Sequence, residues 1–304
     1  MGHAISTCME FTFDHSSSAS TLPDQEEPPK SVFTNSDSIE EIMYLHHVVL
    51  KHYWGQNYVS PVVLSSDNET KPKQVLDLGC VTGLWTVEMA SISPTTNFVG
   101  VNPFSIFPKS APSNVSFYQQ NILNGLQFDD NSFDFIHERL SLSDFTKKQW
   151  EDTVLHEIVR VCKPGGWIEL LESDACICDK GKVLRRIGRS CKKLFLSKGL
   201  VPNLGQFLQT LLRSNPQLTD VHYIENDMPL GKRHGKFGEL AVRDLMLSWN
   251  AIKIPLSQIM GIAPEHFEAI LEAFINEVNV QDLYWRTYRV IARKKTLDEM
   301  NERL

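Results

Sequence analysis

The chain has 304 residues, 30 Lys and Arg against 37 Asp and Glu, and a formal net charge of −7. With 42% hydrophobic and 22% charged residues, it is long enough for one large domain with insertions or for two. The balance excludes collagen-like, fully disordered and disulfide-dominated chains. No run of about 18 apolar residues predicts a membrane-crossing helix. The six cysteines, Cys8, Cys80, Cys162, Cys176, Cys178 and Cys191, are sparse and follow no secretory signal. They read as reduced thiols of an intracellular protein, cytoplasmic or nuclear. Cys176 and Cys178 form C-x-C without a second ligand pair, so no metal is expected.

Met1-Gly2-His3-Ala4-Ile5-Ser6 fits the pattern for N-myristoylation, and Cys8 is close enough to carry a palmitoyl chain. A single myristoyl chain binds membranes only marginally, so membrane association is expected only if Gly2 and Cys8 are both acylated. The alternative is a chance match to a short pattern. Residues 14–38 are rich in Ser, Pro and acid and poor in large apolar groups, which predicts a disordered arm over 1–38. Ser38 followed by Ile39-Glu40-Glu41 predicts a helix start, with the acids complementing the helix dipole. The helix continues through Leu50, within a helical cover spanning 39–72.

From residue 73 short apolar runs alternate with helical periodicity. Strands are predicted over 73–78, 97–101, 115–119, 132–137 and 167–171, with helices over 84–92 and 147–162 and a Lys163-Pro164-Gly165-Gly166 turn before the fifth strand. Residues 73–179 form a core domain. Residues 180–295 add helices near 182–198, 203–213, 236–250 and 263–278, with strands at 220–224 and 283–291 completing the sheet; 296–304 is a tail. This order predicts an α/β fold, a Rossmann-like, seven-stranded, mostly parallel, doubly wound sheet with helical cover inserts.

The first strand runs into Asp77-Leu78-Gly79-Cys80-Val81-Thr82-Gly83-Leu84-Trp85. Glycine in such a turn lets the backbone approach a ligand, and the helix that follows offers free N–H groups. The spacing is D-x-G-x-x-x-G, not the G-x-G-x-x-G of dinucleotide sites. With NSFDFIHERLSL (131–142), EIVRVCKPGGWIELLE (157–172) and LYWRTYRVIARKK (283–295) in the same order, the chain resembles the class I S-adenosylmethionine (SAM)-dependent methyltransferases. More narrowly it resembles the LaeA-like fungal methyltransferases, over roughly residues 39–293. The resemblance implies SAM as cofactor. It places Asp77, Gly79, Cys80, Val81, Gly83, Asn102, Pro103, Asn121 and Ile122 around it, and Arg139 near its methionine end.

Three of these positions depart from the family pattern. Val81 replaces a glycine; a β-branched residue resists positive φ and adds bulk beside the ligand. Asn102 and Asn121 stand where carboxylates would grip the ribose and the adenine. Each loss of a charge-assisted bond removes roughly 1.5–3 kcal/mol. Two readings follow: an enzyme methylating an unidentified small-molecule or protein acceptor, and a degenerate methyltransferase fold kept as a regulatory or scaffold protein with weak or no SAM binding.

Methyl transfer from a sulfonium needs alignment first, and a base only when the acceptor must lose a proton. His137, Glu138 and Arg139 after the fourth strand are the catalytic candidates, with Glu172 after the fifth; a half-buried strand-end residue is the other reading of His137. His46 and His47 either face the acceptor or pack and cap. Residues 180–198 hold eight Lys and Arg and no acid. They read either as a solvated face or as a surface for an anionic membrane or an acidic partner. No nucleic-acid module accompanies them.

Overall fold

The computed structural model describes residues 36–64, 72–175 and 180–301. Gly2, Cys8, Cys176, Cys178 and the expected arm up to residue 35 lie outside the described residues. The elements are α1 (Ser36–Trp54), β1 (Gln74–Leu78), α2 (Leu84–Ile92), β2 (Asn97–Asn102), β3 (Val115–Gln119) and β4 (Phe133–Arg139). A short α3 (Lys147–Gln149) passes through a π-helical turn, Trp150–Val154, into α4 (Leu155–Val161). Then come β5 (Cys162–Ser173), α5 (Lys182–Ser197), α6 (Leu204–Ser214), β6 (Leu218–Pro229), α7 (Gly235–Ala251), α8 (Lys253–Met260), α9 (Phe267–Val280), β7 (Tyr284–Lys294) and α10 (Leu297–Asn301).

The seven strands form one sheet in the order β3-β2-β1-β4-β5-β7-β6. Strands β1 to β5 pair in parallel, whereas β7 runs antiparallel to both β5 and β6. Strand periodicity sorts the apolar side chains between the two faces. Val75, Phe98 and Phe135 pack with Trp85 and Met89 of α2 on one face. Leu76, Ile136, Ile168 and Val290 pack with Ile158 of α4 and Leu208 of α6 on the other. A third cluster, built from α5, α7, α8 and α9 with Val49 and Leu50 of α1, forms the helical cover.

Several boundaries differ from the sequence expectation. Helix α1 starts at Ser36, so residues 36–38 belong to it and not to an arm. Strand β5 begins at Cys162 and includes the Lys163–Gly166 segment, Gly165 being at φ +80°. A Cβ on Gly166 would lie 2.9 Å from Cys162 Sγ, so the extended chain closes there only on glycine. Helix α8 falls between the helices expected near 236–250 and 263–278, and Pro255 stands near its start. It occupies the helix's first turn, where no N–H is needed.

Helix α1 is fastened to the sheet by polar contacts as well as by its apolar face. Tyr53 Oη donates to Pro229 O at 2.9 Å, and Trp54 Nε1 donates to Thr287 Oγ1 at 3.1 Å. Just beyond the helix, Val59 N, Ser60 N and Ser60 Oγ all donate to the buried Glu169 carboxylate at 2.7–2.9 Å. Arg289 Nη1 lies 3.1 Å from the same carboxylate, and its guanidinium sits 4.5 Å from the centre of the Trp54 ring. Burial pulls the Arg289 proton affinity down to about 10, with Glu169 opposing the shift. Removing one partner leaves a buried charge uncompensated. Glu169→Ala is therefore expected to lower stability by about 3–5 kcal/mol, read as a lower urea midpoint with an unchanged slope.

Candidate functional site

Strand order reverses between β1 and β4, and at the carboxyl ends of these strands lies a cavity of about 170 Å³. It brings together Gly79, Cys80, Val81 and Thr82 after β1, Asn102 and Pro103 after β2, Asn121 and Ile122 after β3, and Arg139 at the end of β4. Helix α1 supplies its roof through Ile39, Ile42, Met43 and His46.

The turn after β1 is wound by Gly79 at φ +68° and Gly83 at φ +69°. A Cβ on Gly83 would lie 2.6 Å from the Phe117 ring, so glycine is required there by space as well as by torsion. Val81 adopts φ 48°. The expectation that this residue would refuse the left-handed region is thus corrected: its isopropyl group lines the cavity with the backbone already in the glycine-like conformation. Such strain costs on the order of 1–3 kcal/mol and persists only where neighbours over-determine it. Here Cys80 N donates to Val101 O at 3.1 Å and Gly83 N to Cys80 O at 2.8 Å, bracketing Val81 on both sides. Helix α2 then starts on Gly83 with no side-chain cap, leaving its first-turn N–H groups to other partners.

The two asparagines are oriented by their own bonds. Asn102 Nδ2 donates to Phe104 O at 2.8 Å, which leaves Oδ1 as an acceptor on the cavity wall. Asn121 is the reverse case. Its Oδ1 accepts from Leu123 N at 3.0 Å, capping a short turn, while Nδ2 is buried with no partner among the described residues. One acceptor and one unpaired donor therefore stand where carboxylates would offer acceptors only.

Asp77, Gly83, His137 and Glu138 do not line this cavity. His137 is fully buried, not half-buried: its ring stacks on Trp85 with centroids 3.7 Å apart, and Nδ1 lies 3.1 Å from Asp77 Oδ1. Burial is also the chief cause lowering its proton affinity. Asp77 further accepts from Thr86 Oγ1 at 2.5 Å, so it braces the turn from behind. These four residues lie behind the wall, and Glu138 meets it only through the Ser141 hydroxyl, which donates to it.

Glu138 and Glu172 are both fully buried and share Ser141, whose N–H donates to Glu172 at 2.7 Å while its hydroxyl donates to Glu138. Burial pushes Glu138 up to about 7, with its bonds to Ser141 and Glu172 opposing the shift; burial, and then the Glu138 charge, hold Glu172 well above the usual carboxylate range. Asp144 lies on the cavity wall in the loop after β4, at an exposed position beside Ser143. Nothing in the sequence pattern marked Ser143 or Asp144, because that loop has no periodicity.

Arg139 is held from the roof. Its Nη1 lies 3.2 Å from His47 Nδ1, and His47 Nε2 lies 2.5 Å from Glu88 Oε2 of α2. Lys51 and Asn57 also donate to Glu88. His47 is thus spent on positioning. His46, one residue earlier, lines the cavity.

A family model described as a methyltransferase domain matches residues 75–166. Methyltransferase str2 of Strobilurus tenacellus is 24% identical over 75% of this chain and 82% of its own length. N-methyltransferase sirN of Leptosphaeria maculans is 27% identical over 83% of this chain and 90% of its own. The secondary metabolism regulator laeA of Coprinopsis cinerea is 36% identical over 38% of this chain and 28% of its own. Residues 75–166 thus match a methyltransferase domain, and the chain as a whole is similar to fungal methyltransferases, LaeA-like proteins among them.

The Glu138–Glu172 pair gives stability a pH dependence of known sign. Native carboxyls with raised proton affinity hold protons that the unfolded chain releases near pH 4.5, so their contribution is complete below that value. It is lost as pH rises towards 7 and beyond, at about 1.4 kcal/mol per pH unit per proton. Glu172→Gln keeps the acceptor for Ser141 N–H but cannot titrate. The decline in urea-unfolding free energy above about pH 5 is expected to be shallower in this variant than in the parent.

Proposed function

We propose that the protein transfers the methyl group of SAM to a small-molecule acceptor, with the nucleoside in the cavity between the Gly79–Thr82 turn, Asn102, Asn121 and Arg139. The observation that carries this reading is the unpaired, buried Asn121 Nδ2 on the same wall as the acceptor oxygen of Asn102. A buried donor without a partner costs about 1–3 kcal/mol, which a hydrogen-bonding ligand removes.

SAM supplies a methyl group on a sulfonium, so the protein's task is chiefly alignment. Asn102 Oδ1 accepts from a ribose hydroxyl, and Asn121 Nδ2 donates to an adenine ring nitrogen. The uncapped start of α2 and the open face of Gly79 let the backbone meet polar ligand atoms closely. Arg139, held by His47, takes the carboxylate of the methionine moiety, and Asp144 lies on the same wall for its ammonium. A roof made by one helix favours a small acceptor over a folded protein, and the relative sirN is named an N-methyltransferase. A purely regulatory role is not favoured, since Val81 already has the backbone conformation of the glycine it replaces and the crevice stays open beside it.

Calorimetric titration with S-adenosylhomocysteine tests the reading. The parent chain is expected to bind. Asn102→Asp, which restores a charge-assisted bond, tightens binding by about tenfold. Arg139→Met loosens it by at least about tenfold. Absence of heat from both the parent and a Val81→Gly/Asn102→Asp double variant removes the nucleoside from this cavity.

A further inference from the structure

Beside the nucleoside cavity lies a second, which shares Met43, His46, Leu140 and Ser143 with it. Its volume is about 130 Å³, close to the roughly 150 Å³ of an apolar protein cavity that takes up benzene. Phe195 of α5, Leu245 and Trp249 of α7 and Trp285 of β7 make its walls, which suits the flat faces of a ring. An apolar void of this size can persist empty. This one carries a different feature: three residues of its wall hold buried polar atoms without a hydrogen-bond partner among the described residues. They are His46 Nδ1, Asp174 Oδ1 and Ser248 Oγ. Each such atom costs about 1–3 kcal/mol when left unpaired, and three around one void point to a ligand with polar groups of its own.

His46 is the most informative of the three. Its Nε2 lies 3.0 Å from Oδ1 of Asp244, a fully buried carboxylate of α7. The approach is off the ideal hydrogen-bond line, since neither Asp244 oxygen has a well-formed partner. The charge nevertheless assigns the ring proton to Nε2 and leaves the Nδ1 lone pair free. Tightening of such a contact on ligand binding is ordinary for a catalytic pair. Burial favours protonation of Asp244, and the neighbouring His46 opposes it. Because His46 belongs to both cavities, its ring stands at their junction.

We propose that the second cavity is the acceptor site, that it takes a single-ring aromatic compound bearing an acidic O–H or ring N–H, and that His46 Nδ1 removes that proton. The proposal rests on the nucleoside reading above. In the step, a lone pair of the acceptor oxygen or nitrogen forms the new bond to the methyl carbon. The carbon–sulfur bond breaks with its electron pair going to sulfur, leaving the thioether S-adenosylhomocysteine. The acceptor's proton ends on His46 Nδ1, giving an imidazolium paired with the Asp244 carboxylate. Asp174 and Ser248 hydrogen-bond a second polar substituent and set the ring's orientation.

The test uses the full chain saturated with S-adenosylhomocysteine and two probes, para-cresol and toluene, which differ by one hydroxyl. Titration is expected to show para-cresol binding about tenfold tighter than toluene, the worth of one buried hydrogen bond. In His46→Phe the preference disappears while toluene still binds. Spectra of isotope-labelled histidine side-chain nitrogens are expected to show one imidazole, missing in His46→Phe, shifting when para-cresol is added and not when toluene is. Leu245→Trp, which fills the void from α7, abolishes binding of both probes. The S-adenosylhomocysteine titration on the same samples reports the first cavity separately, so loss of the nucleoside site is seen as such. The proposal is overturned if the nucleoside binds and para-cresol does not, if the two probes bind alike, or if His46→Phe keeps the preference.

Discussion

A neutral imidazole between a cation and an anion determines the geometry of the site. Burial favours the uncharged form of His47, its Nε2–H points to Glu88, and its Nδ1 is left to accept from Arg139. Protonation of His47 would turn an N–H towards the guanidinium and make the contact repulsive. Glu88 in turn is held far below the usual carboxylate range, first by its bond with His47 and then by those with Lys51 and Asn57. This chain links α1 and the end of β4, which line the cavity, to α2 behind its wall. It ties the roof directly to α2 and gives Arg139 a fixed direction.

The changes in the ligand-binding turn follow a common logic. Val81 carries torsional strain that a glycine would not, yet the bonds of Cys80 and Gly83 leave its backbone no alternative. Asn102 and Asn121 each give one half of their amide to the protein and keep the other half for the cavity. A carboxylate would offer both oxygens and a charge; these amides offer single, directed bonds. The site is weaker in charge and more specific in hydrogen-bond polarity than the sequence pattern of its family implies.

Much of the sheet was legible in the chain. Val75–Leu78, Asn97–Val101 and Val115–Gln119 are short β-rich runs; the first two are largely buried on both faces, and the third, at the sheet edge, is more open. The extension of β5 back to Cys162 was not, since Pro164 and two glycines signal a turn wherever the partner strand cannot be seen. The cavity wall was legible where residues follow parallel strands directly, as with Gly79, Asn102, Asn121 and Arg139, because the fold places every such end at one edge. His137 failed the same rule for a reason of depth. It shares a face of β4 with Arg139, but it lies two residues inside the strand end, where Trp85 of α2 covers it, whereas Arg139 ends the strand and lines the crevice. The His46–Asp244 contact was out of reach, as its members are nearly two hundred positions apart and meet only through the packing of α1 on α7.

Helix α1 is a boundary common to two chambers, and this has an energetic consequence. An occupant of either chamber restrains the same nineteen-residue segment, so part of the ordering entropy spent by the first guest is no longer charged to the second. The two binding events are thereby heterotropically coupled without any displacement of the sheet, and thermodynamic reciprocity requires each to strengthen the other by the same factor.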